Sequence, residues 1–110
     1  MDITDDYMHE QLARTRSYAV ALLHPGPAYE ADGRDEIVWE HGRRNFALRA
    51  EGKMVLVGPI TEESDWCGVC VFAADPDEAA ALMDGDPAVE AGIFTYEVHP
   101  WRSFPGDALP

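Results

Sequence analysis

The sequence predicts a single α+β domain in the order β-α-β-β-α-β. A four-stranded antiparallel sheet would carry both helices on one face, the split β-α-β or ferredoxin-like arrangement. Three observations predict it. The chain has 110 residues, the length of one domain. Four short apolar runs alternate in that order with two helical segments, and Gly or Pro closes most of the runs. Strands one to three are apolar at both parities, as in Tyr18, Val20, Leu22 and Ala19, Ala21, Leu23. Strands of that kind are buried on both sides. A chain this short has no third layer to offer, so a second copy is the expected cover and a homodimer the expected state.

Residues 1–16 are polar and charged, with Tyr7, Met8 and Leu12 loosely at helical spacing and Thr4 placed to cap. They read as a helical N-terminal arm outside the core. Tyr18 to Leu23 is the first strand, stopped by His24-Pro25-Gly26-Pro27, and a loop follows through Gly33. Residues 35–50 form the first core helix. At 100° per residue, Ile37, His41 and Leu48 share one face, extended by Val38 and Asn45. Trp39, Phe46 and Ala50 make a second apolar stripe, so this helix is expected to touch two things.

Met54–Val57 and Cys67–Ala73 are the next strands, joined as an antiparallel hairpin. Asp75-Pro76-Asp77-Glu78 starts the second helix. Asp75 caps it, Pro76 occupies the first turn and Glu78 sits at the capping-box position. Ala79, Leu82 and Met83 face inward, and Gly85 is the expected stop. Asp86-Pro87 opens a short turn to Gly92. Ile93 to His99 is the fourth strand, with Phe94, Tyr96 and Val98 on one side. The tail from Pro100 is expected to be irregular.

Charge excludes two classes of partner. Eight Lys and Arg stand against 21 Asp and Glu, a net −13, and the arginines lie scattered among acids. Nucleic acid and anionic membrane both call for a basic patch. No 18-residue apolar run exists to span a bilayer. The acidic opening, Met1-Asp2-Ile3-Thr4-Asp5-Asp6, is unlike a secretory signal. The expected location is cytoplasmic, with reduced cysteines.

Cys67-Gly68-Val69-Cys70 matches C-x-x-C, but on a strand positions i and i+3 point to opposite faces. A zinc ribbon needs a second pair that is absent. Neither metal nor redox use is expected. There is no glycine-rich phosphate loop and no G-x-S-x-G elbow, so no cofactor is expected either. His41 stands out, an imidazole on the apolar face of a helix. It reads either as a core histidine bonded to a carbonyl or as a general acid/base, which needs an orienting carboxylate. Asp86 is the candidate carboxylate, although Asp before Pro is also an ordinary helix start.

Glu40-His41-Gly42, Glu51-Gly52-Lys53 through Gly58-Pro59, Asp75–Ala81, Asp86-Pro87, Gly92-Ile93-Phe94 and Val98-His99-Pro100-Trp101 occur in one order. In that ordered set, over residues 17–102, the chain resembles the YCII-related (YciI-like) family. Residues 1–16 and 103–110 lie outside the resemblance, as an arm and a tail, and residues 26–34 look like an insert. The resemblance implies a dimeric α/β barrel in which two ferredoxin-like sheets pack face to face. It also implies a His–Asp pair, here His41 and Asp86, in a cleft near the dimer interface. A few relatives act as dehydrochlorinases on chlorinated aromatics, and most have no assigned reaction.

The expected function is proton transfer on a small organic substrate, dehydrochlorinase-like or lactone-isomerase-like. His41 would be the base or acid and Asp86 would hold its tautomer. Asn45, Gly58 and Pro59 are expected to line the pocket and Trp101 to close its rim. The competing expectation is a non-catalytic, small-molecule-binding or stress-associated dimer with the same pocket.

Overall fold

The computed structural model describes all 110 residues, Met1–Pro110. The elements run α1 (Asp5–Ala13), β1 (Arg16–Pro25), α2 (Arg34–Ala50), β2 (Met54–Pro59), β3 (Gly68–Phe72), α3 (Pro76–Asp84), α4 (Pro87–Glu90) and β4 (Phe94–Ser103). The sheet order is β2-β3-β1-β4, antiparallel throughout. That is the ferredoxin-like topology, preceded by α1 and carrying the extra turn α4.

Local chemistry sets the helix starts. The Thr4 hydroxyl accepts from the Tyr7 N–H at 3.1 Å, and the Asp75 carboxylate accepts from the Glu78 N–H at 2.8 Å. Each satisfies an amide that the first turn leaves unpaired. α3 stops at Gly85 as expected, with Gly85 as its C-cap, although its φ of −83° is right-handed. The next residue pair keeps the chain from continuing. Asp86 is extended, and Pro87 starts a new turn.

Register divides the sheet into two faces. Ala19, Ala21 and Leu23 of β1 lie opposite Phe72, Cys70 and Gly68 of β3, and opposite Pro100, Val98 and Tyr96 of β4. This is the core face. Phe72, Met54, Cys70, Met83 and Ile93 are sealed in the same cluster as Ala19 and Ala21. The other face carries Tyr18, Val20, Leu22, Val69, Val71, Leu56 and Trp101; none of the core helices packs on it, and the residues after β4, Phe104 to Asp107, border it beside Val71, which is buried.

β4 corrects the expected ending. It continues through Pro100 and Trp101 to Ser103, paired with β1 as far as Arg16. Proline is tolerated there because β4 is an edge strand, where a missing N–H breaks no interior ladder. Pro59 lies on the other edge, in β2.

The loop after β1 is pinned where two backbones nearly touch. The Gly26 N–H donates to the Ile93 carbonyl at 2.7 Å and the Ala28 N–H to the Gly92 carbonyl at 2.8 Å. A Cβ on Gly26 would lie 2.2 Å from the Gly92 oxygen. Backbone atoms cannot step aside as a flexible side chain can, so Gly26→Ala must break this junction. A loss of about 2–3 kcal/mol is expected, read as a lower urea midpoint with an unchanged slope. A midpoint within experimental error of the parent would show that the junction yields.

Candidate active site

Asp86 is the hinge of the site. It is 1% exposed and its two oxygens do different work. Oδ1 accepts from the Ala88 and Val89 N–H groups at 2.8 and 3.3 Å, capping α4. Oδ2 lies 2.6 Å from Nδ1 of His41 on α2. Both sequence readings of Asp86, as helix start and as partner of His41, therefore hold at once. Forty-five residues of sequence separation are closed by the packing of α2 on α4.

Burial alone would push the Asp86 carboxyl up. The hydrogen bond and charge of His41, together with the Ala88 and Val89 amides, outweigh it and hold the carboxyl below its ordinary value. A depressed carboxyl contributes stability that is present above its unfolded value, near 3.8, and is lost as pH falls through the folded one. The parent chain should thus lose part of its stability below about pH 4, and Asp86→Asn should flatten that limb of the curve. Urea midpoints between pH 3 and 6 test this.

An ionised Asp86 accepts only, so His41 Nδ1 carries the proton and donates. In the neutral ring Nε2 is then the free lone pair. It receives the Asn45 Nδ2–H at 3.3 Å from one helical turn away. The Phe94 ring stands at 60° to the imidazole, with centroids 5.1 Å apart, and fixes its plane. His41 keeps 13% of its side chain exposed.

That opening leads to a cavity of about 350 Å³ between α2 and one end of the sheet. His41, Gly42, Asn45, Phe46 and Arg49 of α2 line it, with Leu23, Val57, Gly58, Pro59, Cys70 and Phe94 of the sheet. The structure thus brings His41, Asp86, Asn45, Gly58 and Pro59 to one place. Trp101 is elsewhere. It lies on the uncovered face beside Tyr18, with ring centroids 6.4 Å apart. The expectation that it closes the rim is corrected by strand parity, since Phe94, Tyr96 and Val98 take the core side and an odd position takes the other.

Sequence reasoning missed Phe94 as the wall against the imidazole and Cys70 as a cavity residue. Both cysteines are free, and both residues line the cavity. Cys67 precedes β3 rather than lying within it, so the opposite pointing expected within one strand does not apply there. Burial, then the Asp86 charge, pushes the Cys70 thiol up to about 12. Cys67 is also raised by burial. Cys70 should therefore alkylate about a thousandfold more slowly in the native protein at pH 8 than in the unfolded chain. Mass spectrometry of iodoacetamide-treated protein reads this, and equal rates would mean that β3 opens freely.

The other histidines form no metal set with His41. His24 and His99 lie on the uncovered face, where both Nε2 atoms contact the Glu97 carboxylate at 2.6 Å. His9 is on α1. No group of three His, Cys, Asp or Glu side chains is disposed to hold a metal ion.

The model of the YCII-related domain matches residues 17–102. Among solved structures the chain is similar to 5-chloro-2-hydroxyhydroquinone dehydrochlorinase from Burkholderia phenoliruptrix AC1100, in complex with 2,5-dihydroxybenzoquinone. The TM-score is 0.57 at 20% identity, over 78% of this chain and 93% of that one. A methylated protein designated RPA0582 aligns over 96% of both chains, at 18% identity and a TM-score of 0.36. No protein with a curated description matches the chain.

Proposed function

The chain belongs to the YCII-related family, and on that premise we propose that it is a cofactor-free acid–base catalyst acting on a small, largely apolar organic molecule. The observation that carries this reading is the 2.6 Å His41–Asp86 bond at the wall of the cavity. Asp86 fixes the tautomer that leaves Nε2 basic and stabilises the imidazolium once a proton arrives. Asn45 holds Nε2 until a substrate donor replaces it. A cavity of about 350 Å³ is at the small end of ligand sites and suits one substituted ring. The reaction class is proton removal with elimination or isomerisation. In a dehydrochlorination Nε2 takes the proton, the electron pair forms the new double bond and chloride leaves. The similar fold of a dehydrochlorinase makes hydroxylated chloroaromatics the first substrates to try.

The test is a panel of chlorinated hydroquinones and small unsaturated lactones, followed by chloride release or absorbance. Turnover that vanishes in His41→Ala supports the proposal. A compound that raises the melting point equally in parent and His41→Ala, without turnover in either, favours the second reading of a binding module. The double duty of Asp86 as a buried cap is the observation behind that alternative.

A homodimer belongs to the same proposal. Its support is the sheet face of Tyr18, Val20, Leu22, Leu56, Val69 and Trp101, apolar over most of its strands with the His24–Glu97–His99 cluster among them, and with no helix layer of its own chain above it. Two such faces packed together give each subunit the second layer that a sheet requires.

A further inference from the structure

The second apolar stripe of α2 is bare. Trp39 is 71% exposed and Phe46 66%. Gly42 lies between them and offers no side chain, so the stripe is a groove of about 240 Å³ lined by Trp39, Gly42, Arg43 and Phe46. The Arg49 guanidinium rests 5.4 Å above the Phe46 ring. Nine residues of α1 are bare as well, and none is buried. Tyr7, Met8 and Leu12 are 40–53% exposed and share one side of that helix. The molecule is 56 Å long but only 27 by 22 Å across.

The charges of these two surfaces are complementary. The start of α1 is acidic, with Asp5 and Asp6 in its first turn and Asp2 ahead of it, and Arg14 follows its end. On α2 the order is the same. Asp35, Glu36 and Glu40 lie toward its start, behind Arg34, and Arg43 and Arg49 lie toward its end, with Arg43 bonded to Glu40 at 3.0 Å. Laid antiparallel, acid meets base at both ends. The spacing also agrees, since about eight residues, or ~12 Å, separate the two signs on each helix. In a chain of net −13, two bare apolar surfaces with matched charge order are the places where association costs least.

In this structure the arm does not lie in its own groove, for none of its residues is buried. Only Arg14 and Thr15 join α1 to β1, and two residues span ~7 Å at most. The outward side of α2 lies a full helix diameter, ~10 Å, beyond the layer that packs on the sheet.

We propose that α1 of one copy docks antiparallel in the Trp39–Gly42–Phe46 groove of a second copy, with Met8 and Leu12 in the groove, Asp5 and Asp6 at Arg43 and Arg49, and Arg14 at Glu36 and Glu40. Gly42 and Phe46 line both this groove and the His41 cavity. A docked arm therefore covers one side of the cavity mouth, and the partner copy completes the site. The docking itself does not depend on His41 being a catalyst.

Site-directed crosslinking of the full chain tests it. Copies carrying Leu12→Cys are mixed with copies carrying Trp39→Cys, so every disulfide between the new thiols is intermolecular. The expected result is a linked dimer formed at least tenfold faster than in a mixture of Leu12→Cys with Val55→Cys, whose new thiol lies on β2. Adding Arg43→Glu and Arg49→Glu to the Trp39→Cys copy should slow linking about fivefold, the size expected of two exposed ion pairs. Asp5→Arg and Asp6→Arg on the arm copy should then restore it. Equal or faster linking at Val55 overturns the proposal, and so does a charge reversal that fails to rescue. All these positions are on the surface, and unchanged far-UV circular dichroism verifies the fold of each variant.

Discussion

Asp86→Asn should leave the protein nearly as stable as the parent and abolish the proton transfer proposed for His41. Asparagine caps helices as well as aspartate, so its Oδ1 can keep the Ala88 and Val89 N–H groups. Its Nδ2 then faces His41 Nδ1 and donates, so Nδ1 must accept. The ring proton moves to Nε2, the atom that has to be basic at the cavity. A fall of about 10³–10⁴ in turnover is the scale on which an Asp→Asn change acts when the carboxylate orients a histidine base. Stability should move by less than ~1 kcal/mol, because the cap survives. Asp86→Ala behaves differently. It strips the cap, leaves two amides and the imidazole Nδ1 without partners and opens a small void. About 3 kcal/mol is expected, a melting point lower by roughly 12 °C. Nitrogen-15 shifts of the imidazole read the tautomer directly, before any substrate is known. If His41 keeps its proton on Nδ1 in Asp86→Asn, the orienting role assigned to the carboxylate is wrong.

The same residues show where the sequence was legible. Helix starts could be read because they are local. Thr4, Asp75 and Asp86 each bond an amide two or three residues on. The β-α-β-β-α-β order could be read because apolar runs and their Gly and Pro stops are also local. His41 announced itself as a polar group on an apolar helix face, and the ordered YCII-like pieces supplied Asp86. Contacts that depend on parity across strands were harder. Ending the fourth strand at His99 hid that Trp101 continues it, and parity then sends Trp101 away from His41. Strand alternation puts Phe94 on one side with Tyr96 and Val98, yet nothing local says that this side is inward or that Phe94 meets an imidazole on another element. The double stripe of α2 was read as touching two things. Within the chain it touches one, and Trp39 and Phe46 are left for something outside.

Val20→Lys should separate the sheet-to-sheet dimer proposed above with little cost to the fold. Val20 lies on β1 at the middle of the uncovered face, opposite Val71 on β3 and His99 on β4. It is partly exposed in the single chain, where a lysine can extend its charge into water over the methylenes of its stem. Packed against a second sheet, the same ammonium loses its water, and the nearest carboxylate on this face, Glu97 opposite Leu22, is already held by His24 and His99. A two-fold interface carries the substitution twice, so the penalty doubles. At about 2 kcal/mol or more per buried, unpaired charge, dissociation should strengthen by a factor of at least about 10³. The sign of the new charge sharpens the test. A lysine brings the chain from −13 toward neutrality, which reduces general repulsion between copies and favours association. Dissociation can then come only from burial at this face. Light scattering should give twice the mass of 12.2 kDa for the parent and once that mass for the variant. A parent that is monomeric at micromolar concentration removes the dimer from the proposal. A variant that stays dimeric moves the interface off this face.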